Sequence, residues 1–102
     1  IEDRANDPIV QVIAEESEIE IRLTYRELRR VVLEAMRQLP PPLEQALVLH
    51  AQERLSYADV GARLGIRPGA VSMRIKRARE RILAHLRARA GFSARASTKA
   101  AS

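Results

Sequence analysis

Residues 56–82 read SYADVGARLGIRPGAVSMRIKRARERI, and the reading of this stretch decides the fold. Ser56 has the side chain that caps a helix, with Asp59 three residues on as its capping partner. Val60 and Leu64 then give that helix one apolar face. Gly65 stands where a helix end needs a left-handed residue, and Ile66-Arg67 completes a tight turn. Pro68, suited to a first helical position, opens a second and longer helix to about Arg89, with Val71, Ile75, Ala78, Ile82 and Leu86 as its inner stripe. Two helices joined by a Gly-containing turn form a helix-turn-helix. Gly61 is expected to lie where the second helix passes close by, and Val60, Leu64, Ile66, Val71 and Ile75 to weld the pair to the core.

The outer face of the second helix carries the functional signal. At about 100° per residue, Gly69, Met73, Lys76, Arg77 and Glu80 lie opposite the apolar stripe, with Ser72, Arg74, Arg79 and Arg81 on the flanks. From Arg63 to Arg81 there are seven bases and one acid, Glu80. A helix steadied by surface ion pairs would have more balanced signs, so this imbalance points to a polyanion. Recognition helices set their N-terminal outward residues against base edges in the major groove, which makes Ser72, Met73, Lys76 and Arg77 the candidate readers. Arg and Lys match guanine O6 and N7, and a Met packs on a thymine methyl. Arg74, Arg79 and Arg81 are placed for phosphates. The amides of Gly69 and Ala70, at the helix N-terminus, are candidates to hold another phosphate.

Outward from this motif the chain is helical. Thr24 and Glu27 have capping-box spacing, and Leu28, Val31, Val32, Ala35, Met36 and Leu39 recur as a helical stripe until Pro40-Pro41-Pro42 stops it. A further helix is expected from about Pro42 to Gln52, with Leu43, Ala46, Leu47, Leu49 and His50 on its apolar side, and Glu53-Arg54-Leu55 turns the chain toward Ser56. Residues 1–23 are open to two readings. Asn6-Asp7-Pro8 can start a helix, with Ile9, Val12, Ile13, Ile19 and Leu23 roughly on one face, whereas residues 18–23 alternate as a strand does. Residues 90–102 are small and polar, as expected of a disordered tail. The expectation is an all-α, four-helix domain at 24–89, of the winged-helix-like DNA-binding class but without strands, between a lead at 1–23 (an acidic linker, irregular or helical) and that tail.

Composition narrows the function classes. Residues 1–20 hold seven acids and one base, net −6, while the remainder holds seventeen bases and six acids, net +11. An acidic lead on a basic body suits a nucleic-acid-binding domain. Tyr25, Tyr57 and Phe92 are the only aromatics, so the core is aliphatic. No apolar run approaches the ~18 residues that span a membrane, and no secretory signal pattern is present. With no cysteine, a cytoplasmic setting is expected. The start at Ile1 suggests a piece of a longer chain. An enzyme is not expected. His50 lies on an apolar helix face and reads as packed, and His85 reads as a surface residue. Nucleophile elbows, phosphate loops and metal-ligand clusters are missing, so no cofactor or metal is expected. Glu15, Glu16 and Glu18 form a charge run of the kind that is usually just solvated.

Leu39-Pro40 followed by LSYADVGARLGIRPGAVSMRIKRARERI at 55–82 resembles region 4 of bacterial sigma factors, in particular the extracytoplasmic-function (ECF) group. The likeness covers about residues 26–87, and GAVSMRIKRAR at 69–79 is its most specific part. It implies a four-helix domain that reads the −35 promoter element through its last helix and docks on the β flap of RNA polymerase, so that transcription initiates there. By position it puts Ser72, Met73, Lys76 and Arg77 near bases, Arg74 and Arg79 at basic positions of the family, and Tyr57 at an aromatic near the DNA backbone. Region 2, which opens the −10 element in such factors, has no counterpart here, and the acidic lead would correspond to the linker between the two regions.

Several positions depart from the family pattern. Gly61 stands in place of Ala, at a cost of about 1 kcal/mol in helix propensity. Arg67 replaces a Ser or Thr cap worth about 1 kcal/mol, Ala70 replaces a Thr, and Glu44-Gln45 fall where a base is common. Two other readings fit the same residues: a stand-alone helix-turn-helix regulator, which needs its own dimer face, and a sigma-like decoy that occupies an anti-sigma factor.

Overall fold

The computed structural model describes residues 7–16, 20–21, 23–89 and 92–93. They form α1 (Pro8–Glu16), β1 (Glu20–Ile21), α2 (Tyr25–Arg37), α3 (Pro41–Ala51), α4 (Tyr57–Leu64), α5 (Pro68–Arg89) and β2 (Phe92–Ser93). The fold is all-α, as expected, with two additions. A fifth helix, α1, precedes the expected four, and β1 pairs antiparallel with β2, Glu20 opposite Ser93 and Ile21 opposite Phe92. The domain is therefore not wholly without strands, although two residues a side make no wing.

Local chemistry sets the helix ends. At α2 the Thr24 hydroxyl accepts from the Glu27 amide at 3.1 Å and the Glu27 carboxylate from the Thr24 amide at 3.2 Å, so the capping box is complete. Pro40 precedes α3, whose first two residues are Pro41 and Pro42; neither needs a donor there, because first-turn amides have no partner in the helix. Asp7 caps α1: its Oδ1 accepts from the amides of Ile9 (3.1 Å) and Val10 (3.3 Å), and its Oδ2 takes Arg29 Nε of α2 at 3.1 Å.

The core is built around α5, which packs on α2, α3 and α4. Its Val71, Ile75, Ala78, Ile82 and Leu86 have no exposed surface, each four or three residues after the last, so one stripe of a 22-residue helix touches three partners. The expected stripe of α2, Leu28 through Leu39, is buried throughout. Among the described residues no polar or charged residue is buried. The lead joins this core through Ile9, Val10 and Ile13. Val10 takes the inward place expected of Val12, which lies at the edge. Both readings of residues 1–23 have a counterpart, a helix at 8–16 and a strand at 20–21. Ile19, Glu18 and the tail, apart from Phe92 and Ser93, fall outside the described residues.

Candidate nucleic-acid interface

The α4–α5 turn is fixed from the backbone outward. Ser56 Oγ accepts from the Asp59 amide at 3.0 Å to start α4. Gly65 ends it at φ 74°, a left-handed conformation that costs a residue with a Cβ about 1–2 kcal/mol. The amides of Gly65 and Ile66 both donate to the Gly61 carbonyl, that of Ile66 at 2.9 Å. A Cβ on Gly61 would collide with the Ile66 carbonyl oxygen. The close approach that demands this glycine is thus made by the turn itself rather than by α5, as the sequence suggested. The same contact explains why Gly stands here despite its poor helix propensity.

From this turn α5 presents its outer face. Gly69, Ala70, Met73, Lys76, Arg77 and Arg81 are exposed, and Ser72, Arg74 and Arg79 are half-buried. Met73, 43% exposed, is the one exposed large hydrophobic residue among the described residues. At 1.5 Å per residue, Ser72 to Arg77 spans about 7–8 Å along the helix axis. Gly69 has open space where a Cβ would be, so nothing inside the fold requires glycine there. Its amide lies in the first turn, where the helix offers no acceptor. The Ala70 amide is less available, since it donates to the Arg67 carbonyl at 2.9 Å.

Tyr57 belongs to α4 rather than α5, at its first residue and half-buried, with its ring against His50. Arg81 also stands off, about 12 Å beyond Met73 by helical rise. With Arg77, Glu80 and Ala84 it lines an open cleft of about 490 Å³ against Pro40, Pro42 and Leu43 at the start of α3.

His85, expected at the surface, is instead tucked between helices. Its Nε2 lies 3.3 Å from Glu34 Oε1 of α2, and Arg89 Nη2 is 3.2 Å from the same oxygen. The hydrogen bond from His85, with the charges of Arg89 and Arg30, holds the Glu34 carboxyl below its ordinary range against a smaller opposing effect of desolvation. No spacing rule in the sequence links residues 34, 85 and 89, because the contact depends on how α2 crosses α5. No helix among the described residues is long and apolar enough to cross a membrane.

A capped helix, a glycine turn and a second helix with an exposed basic face define a helix-turn-helix protein of the DNA-binding kind. Residues 29–82 match the family described as Sigma-70, region 4, and the chain belongs to that family. It is 42% identical over 55 residues to the RNA polymerase sigma factor CarQ of Myxococcus xanthus, a match covering 54% of this chain and 32% of that protein. It is also 42% identical over 52 residues to the ECF RNA polymerase sigma factor SigE of Mycolicibacterium smegmatis, covering 51% of this chain and 20% of that protein. The matched part thus spans about a third and a fifth of these relatives' lengths, and the likeness to region 4 of ECF-type factors is met. No solved structure matches the chain.

Proposed function

We propose that this chain recognises the −35 element of promoters as the region 4 domain of a sigma factor, and so directs bacterial RNA polymerase to initiate transcription in the cytoplasm. The observation that carries this reading is the outer face of α5, where Met73, Lys76 and Arg77 are exposed and no acid occurs between Pro68 and Arg79. Ser72, Met73, Lys76 and Arg77 meet base edges. Tyr57, Arg74, Arg79 and Arg81 hold the phosphate backbone together with the first-turn amides, that of Gly69 ahead of Ala70. Residues 24–89 do this work, with α1 of the lead packed on them. The second partner is the β flap of the polymerase core, and an anti-sigma factor is a third.

Titration of a labelled duplex at several salt concentrations tests the DNA reading. Binding is expected to be weak and to fall steeply with salt, because each Arg or Lys on a phosphate releases counterions. Absence of binding at low salt would favour a decoy that meets only an anti-sigma factor.

A further inference from the structure

His50 stands in the last turn of α3, with its ring against Tyr57 across the α3–α4 turn. Its Nδ1 is 2.9 Å from the Leu55 carbonyl oxygen. A carbonyl only accepts, so Nδ1 carries the hydrogen and donates. That bond fixes the plane of the imidazole, and the Tyr57 ring lies against it at 5.0 Å between centroids, tilted by 54°, within the range where aromatic rings attract. The turn thus bridged is unusual in its own right. Arg54 sits at φ 58°, a left-handed conformation that a residue with a long side chain holds only when its surroundings impose it. Two contacts tie down the residue that follows it: the His50 bond to the Leu55 carbonyl and the Leu55 amide donating to the Leu49 carbonyl at 3.3 Å. In a chain with only three aromatic residues, one, at the first residue of the helix that precedes α5, has its ring against a histidine.

We propose that His50 is a positioning residue for DNA binding: it orients Tyr57 toward the phosphate backbone by ring contact, its own ring being set by Leu55. This rests on the Tyr57 backbone contact proposed above. The test is a double-mutant cycle on duplex affinity in the full chain, with folding checked by circular dichroism. His50→Asn keeps a donor near Leu55 and loses the ring, while His50→Phe keeps a ring and loses the donor. Each is expected to weaken binding roughly two- to tenfold, the range open to one lost contact, and Tyr57→Ala by a similar factor. In a Tyr57→Ala background neither His50 change should weaken binding further. If Tyr57→Ala weakens binding and the His50 effects simply multiply with it, the positioning role is wrong while the tyrosine contact stands. If Tyr57→Ala binds as the parent does, the tyrosine contact fails and the positioning role with it. Should His50→Phe not fold, His50→Asn alone decides by the same cycle.

Discussion

Between Gly69 and Arg77, α5 turns Met73, Lys76 and Arg77 to solvent. Between Ala78 and Arg89 the same helix turns His85 and Arg89 onto Glu34 of α2. The buried stripe runs unbroken through both halves, so packing does not distinguish them. The acids do: no acid is found from Pro68 to Arg79, whereas the second half has Glu80 within it and Glu34 beside it. Bases held by a neighbouring carboxylate steady the fold. Those turned outward without one leave their donors open to solvent, beside the exposed Met73, which is the arrangement the proposed base reading calls for.

If the halves differ only in outside contacts, the stripe beneath must matter equally in both. Ile75→Asp and Ile82→Asp should each unfold the domain, since each buries a charge without a partner; circular dichroism reads the loss of helix. Either variant keeping its full melting temperature would break the packing account. Next in size is Gly61→Ala. Helix propensity alone predicts a gain of about 1 kcal/mol, but the collision with the Ile66 carbonyl should reverse the sign to a loss of about 1–3 kcal/mol. Thermal melting would show it as a drop of several degrees; a higher melting point would mean that the turn yields.

The smallest effect belongs to the second half. Glu34→Gln should lower stability modestly near neutral pH. Because the folded state holds the Glu34 carboxyl below its ordinary value of 4.5, its contribution is present above that value. It is lost as the pH falls through the lowered value. Parent and variant should therefore converge in acid and separate as the pH rises, while DNA affinity stays unchanged at neutral pH. A fall in affinity there would tie the Glu34 cluster to the reading half and erase the distinction.

Much of this was legible because the signals are local. The Thr24–Glu27 box, the Gly65 turn and the Val71-to-Leu86 stripe each depend on residues within one or two turns, and all appear as expected. What escaped depends on helices meeting across long separations. Asp7 with Arg29, and Glu34 with His85 and Arg89, join residues 22, 51 and 55 positions apart. Val10 displaced Val12 inward because a nine-residue helix takes its face from what it packs against. The sequence singles out Gly61 as a point of close approach, but the neighbour it meets is the Ile66 carbonyl of the turn, not α5.

The central claim is that the outward residues in the first half of α5 read bases. Selection from randomised −35-like duplexes by the parent, Arg77→Ala and Arg79→Ala tests it most directly. Arg77, exposed on the outer face, should on loss cost about 1–3 kcal/mol on the selected site and relax preference at one base position. Arg79, half-buried and about 160° away around the helix, should weaken all sequences alike and leave the preference intact. Full preference surviving in Arg77→Ala but lost in Arg79→Ala would contradict the account and place the reading face on the other side of α5.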